Sequence, residues 1–206
     1  MPSHDPLIIL PAPRRVRGVV VVAHGGSARS EADAPPWSGP ALRLWPFTLG
    51  AWLRGAGSGV AAAQIRYRRR GWNDGAALED GRAALEDVRR RFGDVPVALI
   101  GHSMGGRLVL RLADDPSVTS VCALAPWLPP GEPVPALAAR PVLVLHGGRD
   151  RITDPAGSLE FALRARAAGA RISRFDVRGS GHAMLERALV WQRMARRFAL
   201  ATLGVG

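Results

Sequence analysis

Ser103 stands in the run Gly101-His102-Ser103-Met104-Gly105-Gly106. Ahead of it lies the apolar stretch Val95–Ile100, and behind it Arg107–Ala113 reads as a helix. A serine flanked by glycines on a sharp turn from strand to helix is the G-x-S-x-G arrangement of a nucleophile. The turn strains the serine backbone, so its neighbours must be very small. It lifts the hydroxyl to the sheet edge and aims the following N–H groups at one point, where the dipole of the new helix favours negative charge.

A serine hydroxyl is a weak nucleophile near neutral pH and needs an adjacent base. Five histidines are available: His4, His24, His102, His146 and His182. His4 lies near the terminus, and His24 and His146 end strands before paired glycines. His102 adjoins Ser103, yet on such a turn its side chain is expected to point away. His182, in Gly179-Ser180-Gly181-His182-Ala183-Met184, combines a late position with a turn after the last strand, and is the expected base. An imidazole base needs a carboxylate to fix its tautomer and stabilise its charged form. Asp150, in His146-Gly147-Gly148-Arg149-Asp150, follows a strand by a short turn and gives the order Ser…Asp…His. Asp154 is better explained as a helix cap, and Asp176 lies too far inside its strand. Two N–H donors must meet the developing oxyanion. Met104 supplies one, and the loop His24-Gly25-Gly26-Ser27 the other, with Gly26 the first choice and Ser27 the second.

These residues must be carried by strands and helices in alternation. Val19–Ala23, Ala61–Tyr67, Val95–Ile100, Val118–Ala125, Pro141–His146 and Ile172–Val177 read as strands, several of them apolar throughout. Residues 38–56, Ala76–Phe92, Arg107–Ala113, Pro155–Ala168 and His182–Leu203 read as helices, with Pro46 marking a kink or break in the first. Asp154 and Pro155 suit the cap and first position of their helix. Leu7–Leu10 could add a short edge strand within an N-terminal extension, residues 1–15. The pattern implies an α/β fold with a mostly parallel sheet covered on both faces. Ligands bind such sheets outside the carboxyl ends of the strands, where each candidate motif falls.

In order, His24-Gly25-Gly26, the Ser103 run, the Asp150 run and Gly181-His182 resemble the oxyanion, elbow, acid and base motifs of α/β-hydrolase fold serine hydrolases, from about Val16 to Leu203. The resemblance implies Ser103 as nucleophile, Asp150 as acid, His182 as base, and Met104 with Gly26 as oxyanion hole. It also implies ester cleavage through an acyl-enzyme. Two departures stand out. Fewer than the usual eight strands are expected, and only a short Pro-rich link, centred on residues 129–135, replaces the cap domain between Pro126 and Pro141. The chain is similar to compact, capless esterases and dienelactone-hydrolase-like members, with serine where the dienelactone hydrolases proper use cysteine.

Without a cap, strand-end loops must shape the substrate pocket. Ser27, Trp72, Asn73, Trp127 and Met104 are the candidates. Trp37, Trp45 and Trp52 surround the first helix, either as a partial roof or as packing. Arg68 or Arg70 could bind an anionic group of the substrate.

The 206 residues suit one domain spanning the chain. All 28 basic side chains are arginine, and the net charge is +11. With so much Ala, Gly and Pro, this bias reads as codon usage, and no nucleic-acid motif accompanies it. Cys122 is the only cysteine, so no internal disulfide forms, and its apolar neighbours suggest a buried thiol. No apolar run approaches a membrane span. The first residues lack the pattern of a secretory signal, so a cytoplasmic location is expected. No His/Cys/Asp/Glu cluster has ligand spacing, so neither metal nor other cofactor is expected. The expected partner is a small-molecule ester or thioester. One alternative is a thioesterase acting on CoA or on an acidic carrier protein. Another is a non-hydrolytic binding protein on the same scaffold.

Overall fold

The structure is a computed structural model that describes residues 5–134 and 140–205. His4 and Pro135 lie outside them. Seven strands form one sheet: β1 (Leu7–Ile9), β2 (Gly18–Ala23), β3 (Val60–Ile65), β4 (Val97–His102), β5 (Val118–Leu124), β6 (Pro141–Gly147) and β7 (Arg171–Val177). Their spatial order is β1-β3-β2-β4-β5-β6-β7. Only β1 runs antiparallel, pairing Leu7 with Ile65 at the edge. A strand such as Gly18-Val-Val-Val-Val-Ala23 is buried at each position because helices cover both faces.

Among the described residues five α-helices do so: α1 (Gly39–Gly55), α2 (Ala76–Phe92), α3 (Met104–Arg111), α4 (Pro155–Ala167) and α5 (Ala188–Thr202). One core, with Val19, Val21, Leu99 and Val144 from the sheet, receives Leu85 of α2, Leu108 of α3 and Phe161 of α4. The opposite core, with Val20, Val22, Ile100 and Leu145, receives Leu44 and Phe47 of α1 and Trp191 of α5. Adjacent valines of β2 thus serve opposite cores, as the period of two requires. Asp154 caps α4 by accepting the Ala156 N–H at 2.9 Å.

Three expectations change. Helix α1 continues through Pro46, which lies on its exposed side, so the residue does not break the helix. Strand β3 stops at Ile65. Tyr67 lies beyond it, buried, donating its hydroxyl to the His24 carbonyl at 3.2 Å. Helix α5 begins at Ala188 rather than near His182, because Met184 and Arg187 adopt left-handed backbone (φ 59° and 57°) that no helix can include. His182 is therefore free of helical geometry. Among the described residues the link from β5 to β6 carries no helix.

Candidate active site

The junction of β4 and α3 bends at Ser103, whose φ of 56° and ψ of −117° are strained for a side chain with a Cβ. Glycines make the bend possible. A Cβ on Gly101 would run into the Gly105 carbonyl, one on Gly105 into the Ala23 carbonyl, and one on Gly106 would come within 2.9 Å of Pro126. The backbone is pinned as well: Ser103 N–H donates to the Leu124 carbonyl at 3.0 Å, and the Ser103 carbonyl accepts from Arg107 and Trp127 at 3.1 and 3.0 Å. Among the described residues the Ser103 hydroxyl forms no hydrogen bond.

Asp150 and His182 meet from separate strand ends, with His182 Nδ1 2.8 Å from Asp150 Oδ2. The other carboxylate oxygen accepts the N–H groups of Ile152 and Thr153 at 2.8 and 3.0 Å. Burial opposes the charge on Asp150 more than any other single influence. Hydrogen bonds from His182, Thr153 and Ile152 together overcome it and hold the carboxyl below its ordinary value. The Thr153 hydroxyl lies 2.9 Å from Asp150 Oδ2 and 3.1 Å from His182 Nδ1. Buried His146 brings Nε2 within 3.3 Å of the same carboxylate oxygen. Burial holds His146 below the usual histidine range.

The loop carrying His182 is supported from below. Ser180 Oγ accepts from Trp191 Nε1 at 2.9 Å and donates to the Glu186 carbonyl at 2.9 Å. His102 Nε2 donates to the His182 carbonyl at 2.9 Å, and the two rings lie 4.7 Å apart. Burial, reinforced by His182, pushes His102 down to about 3, so the ring is neutral at ordinary pH. Its Nδ1 then carries no proton and has no partner among the described residues.

The loop after β2 faces the elbow. A Cβ on Gly25 would stand 3.3 Å from that of Ser103, and one on Gly26 would collide with Arg70 and Met104. The Ser27 N–H is already donated to the Arg70 carbonyl at 3.0 Å, whereas the Gly26 N–H has no backbone partner among the described residues. Of the two sequence candidates for a second donor, Gly26 is the one left available. The N–H of Met104 opens α3, where no intrahelical acceptor exists.

Most of the other candidates are engaged structurally. Trp72 is buried, and the Arg107 guanidinium lies between its ring and that of Trp127, at 4.2 and 4.8 Å. Arg107 also pairs with buried Glu132 at 2.8 Å. The Asn73 side chain binds both backbone groups of Ser30 at 2.9 Å, stapling two loops together. Arg68 is paired with Asp80 and Glu79, and Arg70 Nε donates to the Asp33 carbonyl at 2.8 Å. Trp52 donates to the Pro11 carbonyl at 2.7 Å, Trp45 is half-buried and Trp37 is exposed. Thr153, His102, Ser180 and Trp191 support the site without having been singled out as partners. Thr153, three residues beyond Asp150, was within reach of sequence reasoning as a hydroxyl in the acid turn. The 80-residue separation of His102 from His182 left no local signal for that pair.

No curated protein matches the sequence. Solved structures do match in shape. An alpha-beta serine hydrolase homologue from Coxiella burnetii superposes with a TM-score of 0.69 at 15% identity, covering 93% of this chain and 90% of that one. A monoacylglycerol lipase from Paleococcus ferrophilus gives 0.67 at 15%, covering 95% and 98%. The esterase domain of a Rhodothermus marinus protein gives 0.63 at 17%, covering 97% and 92%. The family described as alpha/beta hydrolase fold matches residues 18–141, more than half of the chain. With that match and the seven-stranded sheet, the chain belongs to the α/β hydrolase fold family.

Proposed function

We propose that the protein is a serine hydrolase that cleaves carboxylic esters through an acyl-enzyme. The observation that carries this reading is the Asp150–His182 contact of 2.8 Å, on the same sheet edge as the strained Ser103. In the proposed reaction Ser103 Oγ attacks the ester carbonyl while His182 Nε2 takes its proton. Asp150 holds His182 with Nδ1 protonated and stabilises the imidazolium that forms. The N–H groups of Met104 and Gly26 receive the oxyanion. His182 returns the proton to the leaving alcohol as the tetrahedral intermediate collapses. It then takes a proton from water as that water attacks the acyl-enzyme, and passes it to Ser103 Oγ as the second tetrahedral intermediate collapses and the acid is released.

Trp127, beside Ser103 through its backbone bond, is the proposed pocket wall, with Met104. The engagement of Trp72 and Asn73 with Arg107 and Ser30 makes them supports of that wall. The lipase and esterase neighbours lend the ester reading analogy alone.

Labelling with a fluorophosphonate probe tests the proposal. Wild-type protein is expected to label and Ser103→Ala not to. A folded wild type that fails to label would refute an activated serine. A p-nitrophenyl ester series set against the corresponding acyl thioesters then separates esterase from thioesterase.

A further inference from the structure

The arginines of this chain fall into two populations. On the sheet face covered by α2, α3 and α4 they are largely paired: Arg90 and Arg91 with Asp87, Arg107 and Arg111 with Glu132, and Arg164 with Glu160. On the other face, α1 and α5 contain five arginines (Arg43, Arg54, Arg193, Arg196 and Arg197) and no acidic residue. None of these five forms an ion pair among the described residues. Arg54, Arg193, Arg196 and Arg197 line one groove of about 700 Å³ with Leu200 and Val205. Burial, then Arg54, Arg197 and Arg193, draw Arg196 below its ordinary value, so an anion there would relieve the crowding.

The same face is apolar where it should be wet. Leu42, Leu49 and Leu53 of α1 are 52%, 44% and 64% exposed, and Pro46 is exposed between them. Positions 42, 46, 49 and 53 form one stripe along a helix. On α5, Leu189 is 80% exposed and shares a stripe with Arg193 and Arg197, each four residues on. Both helices pack on one core, so the stripes share one outer surface. Among the described residues no helix is long and apolar enough to cross a membrane.

We propose that the outer surface of α1 and α5 docks on the surface of a bilayer containing anionic lipid, with the leucines entering the headgroup boundary and the arginines meeting phosphate. A lipid surface needs both features, whereas a soluble polyanion would use the arginines and leave the leucines unexplained. This inference does not depend on the role of Ser103.

Sedimentation of the full chain with vesicles tests it, using phosphatidylcholine alone and phosphatidylcholine mixed with phosphatidylglycerol. Binding is expected only with phosphatidylglycerol. Removing two arginines in Arg193→Gln/Arg197→Gln is expected to weaken binding about 30-fold. Leu49→Gln/Leu53→Gln is expected to weaken it about tenfold or more. Both pairs are exposed, so thermal unfolding should be unchanged and confirms that the variants fold. Failure of wild type to sediment overturns the proposal. Loss with the arginine pair but not the leucine pair, matched by equal binding to heparin, would mean a polyanion site. A concentration-dependent dimer dissolved by the leucine pair would assign the face to a second copy of the chain.

Discussion

The two arms of the candidate site are held by different physics. Ser103 is fixed by backbone: a strained bend, three glycines that leave no room for a Cβ, and main-chain hydrogen bonds on either side of the residue. Asp150 and His182 are fixed by side chains, through Thr153, His102 and the Ser180–Trp191 support. A backbone bend has one geometry or fails. A side-chain network can lose one member and keep part of its function, because each bond contributes only about 0.5–1.5 kcal/mol net. The elbow should therefore respond to substitution abruptly, and the acid–base arm by degrees.

Five substitutions can break or sharpen that contrast. The largest effect is expected for Ser103→Ala, which should lower ester turnover about 10⁶-fold, by analogy with other triads, while the protein stays folded. Retention of more than about a tenth of activity would remove Ser103 from the proposed chemistry. Asp150→Asn should cost roughly 10⁴-fold in kcat, since the amide favours the wrong imidazole tautomer. A loss under tenfold would detach the carboxylate from the reaction.

Gly101→Ala tests the elbow by stability instead. The new methyl meets the Gly105 backbone, which cannot move aside as a flexible side chain could, and about 3 kcal/mol of destabilisation is expected in urea unfolding. An unchanged midpoint would show that the bend is more forgiving than its packing implies.

His102→Gln addresses pH. Burial lowers the folded value of His102 from 6.5 to about 3. Between those limits the unfolded chain binds the extra proton, so stability falls as pH falls below 6.5 and is fully present above it. From pH 6.5 to 5 this one residue should account for about 2 kcal/mol of lost stability, a slope that His102→Gln removes. An identical pH dependence in wild type and variant would contradict a neutral, buried His102. Asp150 adds an acid limb of the same sign, lost as pH falls through its lowered folded value.

The smallest effect belongs to Thr153→Val, which removes the hydroxyl between Asp150 and His182. A loss of about tenfold in kcat with little change in KM is expected, together with a shifted acid limb of the pH–rate profile. A change in thermal stability alone would make Thr153 structural only.

Much of this molecule was readable before its structure. The apolar runs placed the five inner strands, β2 to β6, to within a few residues, because a strand buried on both faces must be apolar throughout. Helix α2 matched its span at both ends, its apolar positions recurring at helical spacing between charges. Where reading failed, a competing local conformation was responsible. The left-handed residues Met184 and Arg187 ended the helical pattern that His182–Leu203 suggested, and neither is a glycine that would announce it.

By itself the sequence determined the alternation of strands and helices and the order of the polar motifs after them. Both are local properties: periodicity reports which side of an element meets a core, and a turn must follow its strand. Only the tertiary structure decided which motifs meet. It set β4 between β2 and β5, brought His102 to a carbonyl 80 residues away, bonded the Ser27 N–H to Arg70, and gathered four arginines of α1 and α5 around one groove. Those outcomes depend on packing between elements distant along the chain, and hydrogen bonds and charges across such distances leave no periodic trace in the sequence.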